Sequence, residues 1–454
     1  MYIICNSTAA ALISKKLVVL KIADYYLDKT DTTRIVMRFS ILYYLLLLFP
    51  GAAAAESLFD IYKNTIKSEK STILIDIEND ALTNSDRFYT NGIRLSQAFS
   101  STTYISVNGK KAAFVSGDGE IKPIGNPLPM ESKEPPPEGC EDKPQTAYEL
   151  HYHANVLNCF TSENDFKVFK HNAGQHFANL IYTPTEITAR FNEFEPLDRP
   201  YAGYTYYSRF VETLYADDSS TRYELQLGLL GRASLSEEVQ KNWHKLWDLD
   251  DPTWEKQIAT EPAVQFNYTH RFAIPRFMQW NKDRILNTRY ADVQPYVFIE
   301  AGTVFMRATA GLDVRVSLYN MKTYFDGPFL ISKVPKMGDL DPLTPAPEPV
   351  RKPEPPSKHC FLKVICTPTS AYLFATAEET AVLRNSTIEG GMFTDSPYTQ
   401  HAAKRVRTTA IGIRVAWETW QLSAAFNARS PEVEGIPFDE DYHRWGELRF
   451  GFNW

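Results

Sequence analysis

A glutamine and a histidine that could take part in proton transfer lie four residues apart, at Gln240 and His244. Residues at this spacing share one face of a helix, and Ser234 with Glu237 matches the capping box that begins one. A neutral imidazole accepts a proton near pH 7, which makes His244 a candidate general base with Gln240 beside it. A surface histidine on an amphipathic helix is the simpler alternative, and the spacing alone does not exclude it.

Side-chain oxygens form a second group. Asn79 and Asp80 follow an alternating apolar segment, and Thr90 lies shortly after them. Carboxylate and amide oxygens are the ligands that Ca²⁺ prefers in proteins. Asn79 and Asp80 are therefore candidate metal ligands, although turn residues of a hairpin are an equally simple explanation of the same sequence.

Both groups adjoin segments in which apolar and polar residues alternate. The last segment shows the pattern most clearly, because Leu448, Phe450, Phe452 and Trp454 alternate with polar or small residues. A period of two indicates strands with one apolar face, and the charged opposite faces suit the lumen of a membrane barrel. Closure of a barrel also removes the exposed strand edge that an apolar terminal strand would otherwise leave.

We therefore predict an all-β fold, a 12-stranded antiparallel transmembrane β-barrel with a short helix in an extracellular loop. A helix there could lay its Gln240 and His244 face over the barrel mouth. A large soluble antiparallel sandwich is the alternative. The predicted strands are 72–80, 88–99, 167–183, 201–214, 221–232, 261–274, 292–305, 308–320, 370–383, 404–417, 419–430 and 442–454.

The amino-terminal region carries an export signal. Residues 1–36 form an upstream extension that we expect to be absent from the mature protein. Residues 37–55 combine a basic start, a short apolar core and small residues, as a signal peptide does. That core is shorter than the ~20 apolar residues that span a bilayer, although a membrane anchor remains the alternative. We predict that 56–454 is a multi-pass barrel in a Gram-negative outer membrane.

Two Pro-rich inserts interrupt the barrel pattern, at about 101–164 and 319–369. Such composition predicts semi-extended linkers rather than a packed core. Both inserts follow even-numbered strands, so an amino terminus in the periplasm places both on the periplasmic side. Each insert carries two cysteines, Cys140 with Cys159 and Cys360 with Cys366. Two local disulfides are the natural prediction in that oxidising compartment, and free thiols are the alternative.

Composition agrees with a membrane barrel and argues against nucleic acid. Aromatic residues make up 13% of the chain, as interfacial girdles require. The formal net charge is −7, whereas nucleic-acid binding calls for a basic surface. We therefore expect a membrane-embedded protein that binds no nucleic acid.

Several ordered motifs resemble the lipid A 3′-O-deacylase family of Gram-negative outer membranes. The resemblance covers most of 71–454 outside the Pro-rich inserts. Its motifs are Glu78-Asn79-Asp80, Asp86-Arg87, Tyr89-Thr90-Asn91-Gly92, Gly174-Gln175, Tyr182-Thr183-Pro184, Asp198-Arg199-Pro200-Tyr201-Ala202-Gly203, Glu238-Val239-Gln240 with His244, Trp254, Gln257, Glu261-Pro262 and residues 371–385.

The resemblance implies a twelve-stranded barrel that hydrolyses the 3′ ester of lipid A and depends on Ca²⁺. Its active site lies at the outer rim, between the barrel wall and a helix from an extracellular loop. Asn79 and Asp80 are implied at the cation site, with the Thr90 hydroxyl beside it. Gln240 is implied as a supporting residue and His244 as the general base that activates water.

The family also has an acidic partner for the histidine, a role for which Asp248 and Asp250 compete here. The family also has a basic pair suited to lipid A phosphate. This chain has Ala189-Arg190 at that position, so only Arg190 matches the pair. The implied substrate is lipid A or lipopolysaccharide in the outer leaflet, and a monomer is expected. A phospholipase-type outer-membrane hydrolase and a non-catalytic barrel, either a pore or a structural anchor, remain the alternative functions.

Overall fold

The computed structural model describes residues 52–67, 71–80, 88–101, 103–107, 110–115, 121–123, 166–189, 198–274, 278–283, 288–321, 323, 368–417, 419–436 and 442–453. The proposed upstream extension, most of the signal peptide and every cysteine lie outside these ranges. The helices are α1 (Ala52–Thr65), α2 (Ser236–Trp247) and α3 (Ser386–Glu389), and a 3₁₀ turn spans Arg232–Ser234. The strands are β1 (Ser71–Asn79), β2 (Phe88–Ser100), β3 (Tyr104–Val107), β4 (Lys110–Val115), β5 (Ile121–Pro123), β6 (Phe166–Thr183), β7 (Ala202–Tyr215), β8 (Ser220–Leu230), β9 (Glu261–Arg271), β10 (Gln279–Asp283), β11 (Thr288–Gly302), β12 (Phe305–Tyr319), β13 (Ser370–Asn385), β14 (Arg405–Ala416), β15 (Trp420–Arg429) and β16 (His443–Asn453).

Antiparallel pairing closes the sheet into a barrel. The first strand, β1, pairs with the last strand, β16, on one side and with β2 on the other, and β2 pairs with β6. Across the described residues the ring contains twelve strands, which confirms the predicted fold. Each predicted strand corresponds to one of them, with ends that differ by a few residues. The ring order is β1, β2, β6, β7, β8, β9, β11, β12, β13, β14, β15 and β16.

The outer surface of the barrel is a band of exposed apolar side chains. They occupy alternate positions of adjacent strands, as a lipid-facing wall requires. No helix in the described part of the chain is both long and apolar enough to cross a membrane. The exposed band includes Ile75, Ile77, Ile93, Leu95, Phe177, Leu225, Leu227, Leu229, Leu312, Val316, Leu373, Ile411, Ile413, Leu448, Phe450 and Phe452.

The opposite strand faces fill the lumen with paired charges. Arg271 lies 2.5 Å from Asp313, and both side chains are almost fully buried. Arg315 makes a similar contact with Asp292 across neighbouring strands. Because an isolated buried charge is very costly, these complementary pairs explain how so polar an interior stays packed.

Different segments of the chain leave the barrel at its two ends. The segment 231–260, which contains α2, leaves the barrel at the same end as Asn79 at the close of β1 and Phe88 at the start of β2. We call this end the outer rim. Both Pro-rich inserts leave at the opposite end, after β2 and after β12. The points at which the inserts leave the barrel and the helix α2 are therefore at opposite ends, as strand parity predicted.

The start of the first insert is more ordered than its composition predicted. The strands β3, β4 and β5 form a small antiparallel sheet, and β3 pairs with residues 166–169 of β6. The longer β6 extends beyond β2, which pairs only with residues 172–183. Because an unpaired edge would remain there, β3 completes it. A further short strand, β10, pairs with β11 and was also not predicted.

Deletion of 334–358 should leave barrel insertion and enzymatic activity intact. This stretch belongs to the insert between β12 and β13, at the end of the barrel away from α2. Shortening a long connection changes the closure entropy only slightly. Heat-modifiable gel migration would report folding of the deletion variant. Protease added outside intact cells should not cut the insert in the full chain, and cleavage there would contradict the assigned orientation.

Candidate active site

The start of α2 is fixed against the outer wall of the barrel. The amide Nδ2 of Asn179 donates to Thr205 Oγ1 at 2.6 Å and to Ser236 Oγ at 2.9 Å. A Cβ on Gly203 would lie 2.0 Å from Ser234 Oγ, so only glycine allows this close approach. The predicted capping box is wrong: Ser234 lies in the 3₁₀ turn, and the N-cap is Leu235 in a left-handed conformation.

The polar stripe of α2 is the buried one. Gln240 is 1% exposed and His244 is 3% exposed, whereas Leu246 and Trp247 are 71% and 60% exposed. The partly buried Val239 packs on a cluster formed by Ile181, Tyr201 and Trp254. The helix therefore lies along the outer wall at the rim, and not over the barrel mouth as we had expected.

His244 is held in a defined tautomer. Its Nδ1 lies 2.5 Å from the main-chain carbonyl oxygen of Asp250. A carbonyl oxygen only accepts hydrogen bonds, so Nδ1 carries a proton, and in the neutral form of the ring the lone pair is then on Nε2. This contact fixes the orientation of the imidazole, as a carboxylate does for the catalytic histidine of many hydrolases.

We predicted a carboxylate as the partner of His244, whereas the observed partner is a main-chain carbonyl. Asp248 ends α2 in a left-handed conformation, and the side chains of Asp248 and Asp250 are both exposed. It is the main chain of Asp250 that reaches the histidine. Local backbone geometry, rather than the choice between two carboxylates, therefore accounts for the observed orientation of His244.

Asp250→Ala should retain activity within roughly threefold, because exposed substitutions change free energies by only about 0.5 kcal/mol and the carbonyl stays in place. Asp248→Ala is the matched control at the helix end. Initial rates on lipid A micelles would measure both variants. A loss of a hundredfold or more in Asp250→Ala alone would show that its carboxylate supports the histidine.

Gln240 is oriented by the loop that follows α2. Trp254 Nε1 donates to Gln240 Oε1 at 2.8 Å, and the indole stacks on Tyr201 with ring centroids 4.9 Å apart. Trp254 adopts a positive φ of 54°, which a bulky residue rarely does. This backbone conformation is maintained by the buried contacts on both sides of the indole.

The candidate cation ligands lie at the rim ends of β1 and β2. Asn79 is directly opposite Asn91, and strand alternation turns both toward the outer wall with Ile75 and Ile77. Asn91 Oδ1 is buried, and no residue in the described ranges donates to it. In the sequence, Asn91 is recognisable only as part of the motif Tyr89-Thr90-Asn91-Gly92, and we predicted no role for it.

Asp80 is buried on the other side of the strand end. One of its carboxylate oxygens lies 4.0 Å from His443 Nε2, and the His443 ring stacks on the lumenal Trp445. These oxygens are the donor type that Ca²⁺ prefers. Over the ranges that the structure describes, no three His, Cys, Asp or Glu side chains gather as a metal site. A cation here would therefore depend on amide oxygens and a single nearby carboxylate.

Thr90 occupies an irregular position between these ligands and the helix. In the pairing of β2 with β6, Tyr89 faces Tyr182 and Asn91 faces Ile181. Thr90 is therefore the extra residue of a β-bulge, a feature common beside active sites. Its side chain and all of Arg190 lie outside the described residues, so the assignments of Thr90 to the site and of Arg190 to phosphate stay predictions.

The strand order brings the two groups onto one wall. Neighbouring strands in the barrel follow the order β1, β2, β6, β7. Asn79 on β1 is therefore two strands away from β6, a distance of about 10 Å at the usual strand spacing. Ile181 of β6 belongs to the cluster that packs beneath α2. Asn79, Asn91 and the helix therefore flank the same strip of outer wall at the rim.

Comparisons with known proteins agree with this architecture. A family model described as outer membrane protein LpxR matches residues 40–454. The chain belongs to the LpxR family. The solved structure of LpxR from Salmonella typhimurium has a TM-score of 0.52 at 15% identity, covering 84% of this chain and 99% of that chain. The β domain of the Bordetella autotransporter BrkA has a TM-score of 0.30 at 6% identity, covering 84% and 97%. No match was found among curated proteins.

Membership in the LpxR family confirms the resemblance to lipid A deacylases found in the motifs. Together with the closed barrel, it places the chain in the Gram-negative outer membrane as a multi-pass protein. The family motif Asp198-Arg199-Pro200 then calls for a structural explanation, because it immediately precedes the Tyr201 that supports Trp254.

Arg199 joins three loops of this LpxR family member at the outer rim. Its guanidinium is fully buried, 3.1 Å from Glu432 and 2.8 Å from Thr387 Oγ1. It also lies 4.7 Å from the centroid of the Tyr182 ring. Burial opposes ionisation of Glu432, but the nearby Arg429 and Arg199 outweigh that effect and lower its pKa to about 2. Arg199 therefore holds the loop before Tyr201 in place.

A second carboxylate fixes the loop between β13 and β14. Glu261, at the first position of β9, accepts hydrogen bonds from the main-chain nitrogens of Met392, Phe393 and Thr394. These three donors satisfy the carboxylate without a cation beside it. The motif Glu261-Pro262 therefore stabilises the loop between β13 and β14 at the rim, next to the candidate site.

Arg199→Met should destabilise the protein by about 3–5 kcal/mol, since it leaves Glu432 buried without one of its partners. Adding Glu432→Gln should restore part of that loss. Because the folded pKa of Glu432 is below its unfolded value of about 4.3, its contribution is present above pH 4.3 and is lost as pH falls through about 2. Urea unfolding, monitored by tryptophan fluorescence at several pH values, would measure the loss of stability in Arg199→Met and its partial recovery in the double variant.

The control for Arg199→Met is Arg405→Met, which removes an exposed arginine that pairs with Glu379 at the same rim. Exposed pairs contribute little, so its unfolding midpoint should stay near that of the unmodified protein. Equal stability of the two variants would contradict the role of Arg199.

Proposed function

We propose that this protein is a Ca²⁺-dependent ester hydrolase that removes the 3′-linked acyl or acyloxyacyl group of lipid A. The observation that carries the proposal is the buried His244, whose Nδ1 donates to a main-chain carbonyl on the outer wall of an LpxR-family barrel. An oriented neutral imidazole is the group that ester hydrolysis by water requires.

In the proposed reaction, Nε2 of His244 accepts a proton from a water molecule as its oxygen attacks the ester carbonyl. The resulting imidazolium then returns the proton to the departing sugar oxygen, and the fatty acid leaves. Gln240, held by Trp254, supports the polar face beside the imidazole. The hydrogen bond from Nδ1 to Asp250 O favours the charged ring during this step, as a fixed dipole of suitable sign does.

We propose Asn79, Asp80 and Asn91 as the residues that hold the cation, with Thr90 beside it. The buried Asn91 Oδ1, which has no donor among the residues that the structure describes, supports the choice, because a buried acceptor without a donor is unfavourable unless a ligand or water satisfies it. A bound Ca²⁺ would supply positive charge for the oxygen that becomes negative during ester cleavage. In the proposed site, Asn79 and Asn91 would hold the cation from the outer-wall side and Asp80 from the other side of the end of β1.

The location of α2 supports a lipid substrate in the outer leaflet. The helix docks on wall residues in register with exposed apolar positions, so the candidate site is reached from the membrane rather than from the lumen. Arg190 is proposed to bind a lipid A phosphate. We further propose that the protein acts as a monomer, since each barrel would contain one complete set of these residues.

Mass spectrometry of lipid A would test the proposal. Cells that express the gene should contain lipid A lighter by its 3′ acyl chains, and cells without the gene should retain them. Loss of acyl chains from glycerophospholipids with intact lipid A would indicate a phospholipase instead. Unchanged lipids of both kinds would leave a non-catalytic barrel as the remaining explanation.

A further inference from the structure

The carboxyl-terminal end of α2 exposes large apolar side chains while its polar stripe is buried. Leu246, Trp247 and Leu249 are 71%, 60% and 48% exposed, and Trp243 is partly exposed. We call these four residues the apolar edge. A helix surrounded by water normally has the reverse arrangement, with apolar residues inside and polar residues outside. The distribution is therefore unfavourable unless something apolar covers the edge.

The docking of α2 fixes its level on the barrel wall. Asn179 bonds both Thr205 and Ser236, the first residue of the helix. Thr205 is in register with Leu229 of the neighbouring strand, and Leu229 is 41% exposed in the lipid-facing band. Because the band still continues at this height, the helix begins beside lipid-exposed wall. The helix that carries the apolar edge therefore starts at the established membrane surface.

The charged side chains within α2 occupy the side away from the apolar edge, and Asp248 is exposed at the end of the helix. Lys241 lies 2.7 Å from Glu237 one turn earlier, and Lys245 is exposed one turn further on. A charged face on one side with tryptophan and leucine on the other is typical of helices that lie in a membrane interface. Indole rings favour this region because their polar edge can remain hydrated.

We propose that the apolar edge is inserted into the outer leaflet, where lipid acyl chains cover Trp243, Leu246, Trp247 and Leu249. The occupant is lipid, because the helix that carries the edge starts beside the lipid-facing wall and presents its apolar side chains away from the barrel. The insertion would hold α2 against the membrane and keep its buried stripe next to the acyl-chain region. This interaction does not depend on hydrolysis and would persist in an inactive protein.

Tryptophan quenching in reconstituted vesicles would test the insertion. The full chain, Trp247→Phe and Trp445→Phe would be reconstituted in phosphatidylcholine with or without bromine on the upper acyl chain. The difference spectrum of the full chain and Trp247→Phe isolates the emission of Trp247. That emission should be lost in brominated lipid and should change little with iodide in the water. Phenylalanine keeps an aromatic ring in place, so α2 should remain docked.

Trp445 is the matched control, because it is 1% exposed and lies in the lumen. Its difference spectrum should be insensitive to both quenchers. Leu246→Lys should markedly reduce the bromine quenching of Trp247, since it places a charge within the edge. Quenching of Trp247 by iodide but not by bromine would show a water-exposed edge and overturn the proposal. Insensitivity to both quenchers would also overturn it, since protein such as a second copy would then cover the edge.

Discussion

His244→Ala and His244→Gln should each lower the rate of lipid A deacylation by roughly 10²–10⁴-fold, the usual contribution of a general base. The imidazole is buried and is oriented through Nδ1 by Asp250 O, so neither alanine nor glutamine can accept the proton that Nε2 accepts. Lipid A mass spectra after expression would measure product, and a purified assay on mixed micelles would give the rate constant.

The matched control for this experiment is His401→Gln, which changes an exposed histidine at the same rim. It should leave the rate unchanged. Heat-modifiable migration of all three variants would show that the barrel still folds. Full activity in either His244 variant would remove this residue from the base role, and the reaction would then need another proton acceptor.

The strands of the barrel could be predicted because their environment imposes a simple pattern. Lipid on one side and a polar lumen on the other produce strict alternation, as in Leu448, Phe450 and Phe452 of β16. The short strands β3, β4, β5 and β10 follow no such rule. They complete edges and connections at the end of the barrel opposite α2, and few of their residues alternate for long enough to be recognised.

The helix α2 could be predicted, and so could the Gln240 and His244 face that it turns toward the barrel. The surface that this face meets could not be predicted, because helical spacing does not distinguish the barrel mouth from the outer wall. In the structure Gln240 and His244 face the wall, and Leu246 is exposed. The main-chain contact at Asp250 was also invisible, because every residue has a carbonyl group and only the folded geometry selects one.

The rim contacts depend on residues that are far apart in sequence. Arg199 and Glu432 are separated by 233 positions, and neither has a neighbour in sequence that reveals the pairing. The motif that contains Arg199 could be recognised as a family feature, but the partner of Arg199 could be identified only from the folded structure. The same is true of Asn91, whose significance lies in its register opposite Asn79 and in an Oδ1 that accepts from no donor within the described part of the chain.

Removal of Ca²⁺ with a chelator should abolish deacylation, and added Ca²⁺ should restore it. Asp80→Ala should raise the Ca²⁺ concentration needed for half-maximal activity, and Asn91→Ala should do so to a smaller degree. The expected order follows from charge, since Asp80 is the only carboxylate among the three candidate ligands and charged ligands contribute most to binding a hard cation. Activity titrations at a series of buffered Ca²⁺ concentrations would measure the shift.

A readout that does not require turnover is needed to separate cation binding from catalysis. Added Ca²⁺ should raise the thermal unfolding midpoint of the inactive His244→Ala protein, because a ligand that binds only the folded state stabilises it. Asp80→Ala in the same background should lose this shift. Asp217→Ala, which alters an exposed carboxylate in the turn between β7 and β8 at the opposite end of the barrel, should keep it. Unchanged activity in chelator, or a Ca²⁺ shift that persists in Asp80→Ala, would exclude the proposed cation site and require another source of positive charge beside His244.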